Sequence, residues 1–493
     1  MKITNIKINN FRGVKNVSID IYEMLNFIVS DNNVGKTRIL EAINQFYIGK
    51  EEADIEITYS LTDNDKKQII ESIDEIDSII NDCFIIHYIN KKYMYNDNVD
   101  MKKAILNNLF GEVIYIPAVS NHENEIDISK TTTNISKAIS KLLAKNDSLD
   151  KKLEQLNKDL NSYLDELKNS SIANFEKLNH EIMFSNIEIK LSNKNFDTSQ
   201  ILKNNMELKA IENGEEKSIS QLGTGVQRNI VNAILKYGID NEKFTIVLYD
   251  EPETFLNVKL QRTLINEINN NKKNTQYIIS THSPDIIYRN ENIFRSIIKL
   301  KKVNDNNVEI FQYKDKEYKE YINQANLELK SKNKNYQYVL KQNINKTILA
   351  WWDRNRVNAL FEDKILIIEG ATEEIFIDIV CRDSNIVYIS TAGGKFSIPY
   401  LYILFNKIFG IDVICVCDRD NECNENHKTI NEYILKHINK SMLLDNEFEN
   451  QLNYNVSDNR RKPQIFLEKY FDKQISEQDI EKLRNKITDL YNS

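Results

Sequence analysis

The stretch VSDNNVGKTRILEAI, Val29 to Ile43, follows an apolar strand-like run and opens a helical pattern, and its reading decides the fold of the first half of the chain. Backbone N–H groups at a helix N-terminus can surround phosphates, a lysine can reach the terminal ones, and a following hydroxyl can hold magnesium. Gly35 permits the close approach, Lys36 and Thr37 supply the other two groups, and Asn32 and Asn33 lie in the same loop. The pattern G-x-x-x-x-G-K-[ST] asks for glycine at position 30, where this chain has Ser30. The stretch therefore predicts ATP binding and leaves turnover open at Ser30, where a less permissive turn would slow closure around the γ-phosphate.

Three further segments complete a nucleotide site. LYDEPE, Leu248 to Glu253, reads as a β-run ending in adjacent acids, with Asp250 to hold magnesium through water and Glu251 to orient or deprotonate the attacking water. In STHSPD, His282 follows Glu251 by 31 residues and is placed to contact the γ-phosphate. SQLGTGVQR, Ser220 to Arg228, is a Gly-rich turn opening a helix, and its Ser220, Gly223 and Gly225 can meet phosphate from the opposite side. Singly, these are an acidic strand end, a core histidine and a capped helix. Four such motifs in this order do not fit chance.

Together with NFRGVKN at 10–16, the motifs resemble the ABC-type ATPase head of RecF- and SMC-type proteins. The resemblance implies a composite site, in which the signature segment of one protomer closes on the ATP and Mg²⁺ held by Lys36 of another. Nucleotide would then assemble a homo-oligomer, and a helical arm is commonly inserted between cradle and signature.

The rest of the chain bears this out in outline. At 493 residues and 41% hydrophobic content, two or three cores are expected. A formal charge of −8 excludes a generally basic, nucleic-acid-attracting surface, so DNA contact must come from a local patch or through metal ions. No run of about 18 apolar residues occurs, and Met1 leads straight into KITNIKI, so a cytoplasmic protein with no membrane span is expected. Five cysteines without paired C-x-x-C spacing argue against a disulfide framework and against structural zinc. Four of the five prolines fall in YIPA, DEPE, THSPD and RKPQ, where fixed backbone shapes are needed.

The expected organisation is α/β: an ATPase head in two parts, 1–120 and 186–302, around a helical insertion at 121–185, then a linker or helical region at 303–350 and a second parallel-sheet domain at 351–493. In the insertion Leu142, Leu149, Leu156 and Tyr163 repeat every seven residues, with Leu153, Leu160 and Leu167 at the complementary position. That is coiled-coil spacing, and it suits either a projecting dimerisation arm or a helix packed on its own domain.

The C-terminal domain carries a second chemical centre. IIEGATEE places Glu369 at the end of an apolar strand and Glu373 on the first turn of the next helix, so both face one point. VICVCDRD places Asp418 and Asp420 at another strand end, two residues apart. Carboxylates gathered at the carboxyl edge of a parallel sheet repel one another unless cations bind, and hard oxygen ligands suit Mg²⁺ or Mn²⁺.

With STAGGK, Ser390 to Lys395, between them, these segments resemble the Toprim domain, and head plus Toprim resembles the overcoming lysogenization defect (OLD) family of nucleases. The resemblance implies a two-metal DNA endonuclease or nickase in which Glu369 and Asp418 are catalytic. It adds Glu449 (with Glu447 as the alternative) as a second-metal carboxylate, and Lys462 as the cation near the scissile phosphate, flanked by Arg460 and Arg461. Within OLD, the chain resembles the nuclease subunit of the Gabija anti-phage system, which works with a UvrD-like helicase. The competing readings are a RecF-like DNA-repair ATPase and a DNA-tethering scaffold with both sites degenerate.

Overall fold

The computed structural model describes residues 1–72, 81–95, 99–101, 110–118, 184–191, 206–212, 215–218, 222–223, 225–226, 244–270, 274–287, 292–304, 307–334, 352–391, 394–420, 424–445, 447–456 and 458–493, with isolated positions between. The heptads at 142–167 and the signature residue Ser220 lie outside the described residues. Two compact units divide the chain: Met1–Ile28 with Gly35–Tyr288, and Val29–Val34 with Arg289–Ser493.

The first 116 residues of the chain hold strands β1 (Lys2–Phe11), β2 (Val14–Asp20), β3 (Leu25–Val29), β4 (Asp54–Ser60), β5 (Cys83–Ile89), β6 (Lys92–Tyr95), β7 (Val99–Met101) and β8 (Glu112–Ile116). Helix α1 (Lys36–Ile48) follows β3. Strands β2-β1-β4-β5-β6-β7 form an antiparallel sheet. Alternation buries Ile6 and Ile8 of β1 and Ile55, Ile57 and Tyr59 of β4 while the intervening polar residues face out. Next come β9 (Phe184–Leu191), β10 (Met206–Glu212) and β11 (Glu215–Ser218), a separate antiparallel sheet.

Strands β12 (Thr245–Asp250) and β13 (Thr275–Ser280), with helix α2 (Val258–Asn270) between them, build the parallel sheet β3-β13-β12-β8. TIVLYD and TQYIIS are buried at every position, as strands covered on both faces must be. Register aligns Asp250 with Ser280 and Ser280 with Ile28, so the cradle and the acids share one carboxyl edge. At the other edge Gly111 has φ 87°, and an added Cβ would lie 2.5 Å from the Phe244 carbonyl oxygen. Backbone cannot yield as a side chain can, so Gly111→Ala should cost about 1–3 kcal/mol. A lowered Tm by differential scanning calorimetry checks this; an unchanged Tm contradicts it.

The second unit contains the antiparallel hairpin β14 (Ile297–Asn304) and β15 (Asn307–Gln312), then the 18-residue helix α3 (Asp315–Lys332). Of the stretch expected as a linker or helical region, 303–350, the described residues hold the end of β14, strand β15 and a packed helix. Tyr318, Ile322, Ala325 and Leu329 are buried on one face of α3, and the lysines that gave it a linker texture occupy the other.

Strands β16 (Lys364–Ile368), β17 (Tyr388–Ser390), β18 (Asp412–Asp418) and β19 (Lys440–Leu444) form the parallel sheet β17-β16-β18-β19. Helices α4 (Ala371–Val380), α5 (Glu425–His437), α6 (Phe448–Gln451), α7 (Lys462–Phe471) and α8 (Glu477–Asn492) complete it. Leu366, Ile368, Phe376, Val416, Phe448, Phe466 and Leu483 share one core. The chain leaves β16 toward β17 on one side and crosses to β18 on the other. The carboxyl ends of β16 and β18 therefore flank a topological switch point, the place where open α/β sheets bind ligands.

No helix among the described residues is long and apolar enough to cross a membrane. Cys83, Cys381, Cys415 and Cys417 are free thiols, the last three buried.

Candidate functional site

In the first unit the end of β12 meets the start of α1. Thr37 Oγ1 donates to Asp250 Oδ2 at 2.9 Å, and the Ser280 hydroxyl donates to Asp250 Oδ1. Lys36 Nζ is bonded to His282 Nε2, and Glu251 Oε1 stands 3.7 Å from that same nitrogen. The structure thus brings Lys36, Thr37, Asp250, Glu251 and His282 together. Glu253, given no role above, accepts from Thr281 Oγ1 at 2.9 Å and from the His282 N–H, so it sets the histidine loop. Burial holds the Glu253 carboxyl above its usual range.

Strain in the cradle does not fall on Ser30. Gly35 has φ 115° and Asn33 has φ 60°, both left-handed, whereas Ser30 is not among the positive-φ residues. Asparagine tolerates that region, and a serine with ordinary φ needs no glycine. Ser30 is buried, with its hydroxyl donating to the Asp31 carbonyl at 2.7 Å. The Asp31 carboxylate accepts the Asn32 N–H at 2.6 Å. The expectation that Ser30 makes the turn less permissive is therefore corrected. In the signature turn, a Cβ at Gly225 would lie 2.6 Å from the Phe255 carbonyl oxygen, whereas one at Gly223 would meet nothing within 4 Å.

The second centre lies at the switch point. Glu369 directly follows β16, Glu373 is in the first turn of α4, Asp418 ends β18, and Glu449 is in α6. The Asp418 N–H donates to Glu369 Oε2 at 3.2 Å. Glu373, Asp418 and Glu449 are 6%, 8% and 3% exposed. Burial, with Glu369 and Glu449 nearby, pushes the Glu373 carboxyl up to about 7. Burial also pushes Asp418 up to about 9, with Glu373, Glu369, Glu449 and Asp420 adding repulsion. Glu369 is raised by burial and by Asp420.

Two lysines moderate this negative charge. Lys462 Nζ bonds Glu447 at 2.8 Å and Glu449 at 3.1 Å, and its pKa is raised because these two acids outweigh burial. Glu447 is half-exposed, so of the two alternatives Glu449 is the one that lies buried among the other acids. Lys395 Nζ bonds Asp420 Oδ2 at 2.7 Å, and His427 Nδ1 lies 2.9 Å from the same oxygen. Burial works against ionised Asp420, but these hydrogen bonds prevail and hold its carboxyl below the usual range. Arg460 is almost fully exposed, and Arg461 pairs loosely with Glu468 at 3.5 Å.

Among the described residues no group of three or more His, Cys, Asp or Glu side chains stands ready to hold a metal ion. The donor set nevertheless fits a hard divalent cation, because Asp418 Oδ1 is buried with no hydrogen-bond partner among the described residues and four neighbouring carboxyls repel it.

A pH dependence follows. A carboxyl raised in the folded state contributes stability below its ordinary range that is lost as pH rises through the folded value, here about 7 for Glu373 and about 9 for Asp418. The Tm of metal-free protein should fall from about pH 4, the ordinary carboxylate range, to about pH 9, and the Tm gained on adding Mn²⁺ should grow over that interval as the cation displaces protons. Scanning fluorimetry across the range checks this. A Mn²⁺ gain that does not change with pH contradicts it.

Sequence motifs located Glu369, Glu373, Asp418 and Asp420, and the family resemblance added Glu449 and Lys462. They did not assign roles to Lys395, His427 or Arg356, whose signals are weak: the last residue of STAGGK, a histidine seven residues past D-x-D, and an arginine preceding β16.

Comparison with known proteins agrees with both centres. A family model described as an AAA ATPase domain matches residues 1–116 and 86–287, and one described as the overcoming lysogenization defect protein-like TOPRIM domain matches residues 360–420. The chain belongs to the OLD family, in which an AAA-type ATPase domain is joined to an OLD-like Toprim domain. The fold class expected from sequence is thus the one found.

Old nuclease of Escherichia phage P2 is 22% identical over 58% of this chain and 57% of its own length. Endonuclease GajA of Bacillus cereus (strain HuB5-5) is 24% identical over 81% of this chain and 55% of its own. The chain spans little more than half the length of these two relatives; GajA of strain VD045 is 22% identical and matched over 78% of its length. An SMC head bound to the winged-helix domain of ScpA aligns with TM-score 0.46 at 14% identity, covering 65% of this chain and all of that one, a likeness too loose to carry argument.

Proposed function

We propose that this chain is an ATP-binding, divalent-metal-dependent DNA endonuclease or nickase whose ATPase head regulates its Toprim site. The observation that carries this reading is the cluster of Glu369 with the buried Glu373, Asp418 and Glu449 at a sheet switch point, with Asp418 Oδ1 unpartnered among the described residues. The printed names of Old nuclease and Endonuclease GajA point the same way.

In this reading Glu369, Glu373, Asp418, Asp420 and Glu449 hold two Mg²⁺ or Mn²⁺ ions, which supply phosphate polarisation, a nucleophilic water and stabilisation of the leaving oxygen. Glu369 fixes the end of β18 through the Asp418 N–H, so the two strand-end carboxylates keep a set spacing. Lys462 places a positive charge beside the buried acids for the developing phosphorane-like charge. Arg460 and Arg461 offer flanking phosphates a partner.

In the head, Lys36 and Thr37 hold ATP with its Mg²⁺, Asp250 anchors the metal through Thr37, and Glu251 orients the water beside His282. Asn32, Asn33 and Gly35 line the cradle, and Ser220, Gly223 and Gly225 close a second protomer's site. The resemblance to the Gabija nuclease extends the proposal to anti-phage defence, to a dimer or tetramer through head and helical arm, and to a UvrD-like helicase partner.

The test is supercoiled plasmid incubated with the protein and Mg²⁺ or Mn²⁺, with and without ATP. Relaxed or linear DNA is expected. Intact plasmid under every metal and nucleotide condition would overturn the nuclease reading, and religated topoisomers would replace it with a topoisomerase.

A further inference from the structure

Of the segment Ser390–Lys395, the described residues lie on neither acid-bearing strand, yet they are tied to both. Thr391 donates its N–H to the Ile368 carbonyl at 2.9 Å and its hydroxyl to the Glu369 carbonyl at 2.6 Å. At its far end Lys395 donates to the Asp418 carbonyl and to Asp420 Oδ2 at 2.7 Å. Arg356, in the short helix Arg354–Ala359, donates to the Ser390 carbonyl and holds the base of the turn. His427 of α5 lies 2.9 Å from Asp420 Oδ2 on the other side.

Two features show that this arrangement is specified and not incidental. Lys395 is 2% exposed, and a buried ammonium persists only where acceptors satisfy it. Asp420 has φ 57°, a left-handed conformation that costs a non-glycine residue free energy and survives where its surroundings over-determine it. Lys395 joins the last carbonyl of β18 to the carboxylate two residues beyond, across the bend that this φ creates. The ammonium therefore fixes the angle between the two acids of the D-x-D segment.

We infer that Lys395 is a positioning residue of the metal site: its bonds to the Asp418 carbonyl and the Asp420 carboxylate hold the D-x-D acids in the geometry an octahedral cation requires. The inference rests on the nuclease reading above. It yields a signature that loss of folding or loss of charge alone does not. Mg²⁺ demands near-ideal octahedral ligands, whereas Mn²⁺ accepts a looser set. Releasing Asp420 should therefore penalise Mg²⁺ selectively.

The experiment uses the full chain as wild type, Lys395→Met, Lys395→Arg, Asp420→Asn and the double variant Lys395→Met/Asp420→Asn. Plasmid nicking is measured in Mg²⁺ and in Mn²⁺, and the Tm shift produced by each cation is measured without DNA. Lys395→Met is expected to lower the ratio of Mg²⁺- to Mn²⁺-supported nicking by more than about tenfold, with the Mg²⁺-induced Tm shift reduced in step. Lys395→Arg, which keeps the charge, should stay within about threefold of wild type, and the double variant should change the ratio no further than Asp420→Asn alone.

A Mg²⁺ to Mn²⁺ ratio unchanged in Lys395→Met, with both activities falling together, would overturn the inference, as would additive effects in the double variant. If wild-type protein neither nicks DNA nor shows a metal-induced Tm shift, the nuclease reading fails and takes this inference with it. Wild-type nicking with an unchanged ratio overturns the Lys395 inference alone.

Discussion

Asp418→Ala is expected to abolish metal-dependent nicking, lowering its rate by more than about 100-fold, beyond the 10–100-fold usual for outer partners of a metal site. Asp418 ends β18 next to Glu369 and is the acid most strongly resisted in ionising, pushed up to about 9. Its Oδ1 has no hydrogen-bond partner among the described residues, so little native bonding is lost with the side chain. The backbone N–H to Glu369 remains. The variant should therefore fold with a Tm close to wild type and bind ATP normally, while plasmid stays supercoiled in Mg²⁺ and in Mn²⁺. Nicking retained within about tenfold would remove Asp418 from the chemistry.

Lys36→Ala is expected to separate the two centres. Lys36 is 5% exposed at the head of α1 and bonded to His282, and its ammonium is the charge that would meet the terminal phosphates. Truncating one partner of a buried charge-assisted contact should raise the Kd for ATP about a hundredfold, roughly 2.7 kcal/mol. Nicking in metal without ATP should persist, because Lys36 belongs to a different unit from the carboxylate cluster. The response of nicking to added ATP should disappear. Calorimetric titration with ATP alongside a nicking assay reads both effects, and unchanged ATP binding with an unchanged ATP response would end the proposal that the ATPase head regulates the Toprim site through Lys36.

Much of the architecture was legible because it rests on strands with strong signals. LNFIV, TIVLYD, KILII and VICVCD are mostly apolar runs; the phosphate cradle follows the first, and functional acids stand at the ends of the other three. The hairpin β5–β6 was harder to see. Its turn residues Asn90 and Lys91 have φ 50° and 63°, the geometry of a turn usually marked by Asn-Gly, but lysine stands where glycine would announce it. Ile85 on the exposed face of β5 also blurs the alternation.

The helix α3 was obscured by its lysine-rich outer face, although its buried residues keep helical spacing. Ser30 misled because a motif records residue types and not φ; the glycine requirement falls on Gly35, and Asn33 carries the other left-handed position. Glu369, Glu373, Asp418 and Asp420 were legible from their places at strand ends and on a first helical turn, whereas Glu449 came only from the family resemblance. Their partners Lys395 and His427 were not, because the contact is made by the fold and no short-range pattern encodes it.

The central claim is hydrolysis of a DNA phosphodiester at the Glu369–Asp418 edge, using water and no protein nucleophile. The most direct measurement is a single-turnover cleavage of duplex DNA in isotope-labelled water with heavy oxygen, in Mn²⁺, with mass analysis of the new phosphate end and of the protein. The account predicts one heavy oxygen in that phosphate and no covalent protein–DNA adduct, and with Asp418→Ala no cleavage and no labelled phosphate end. An adduct on a tyrosine, or a new phosphate end without heavy oxygen, would contradict it.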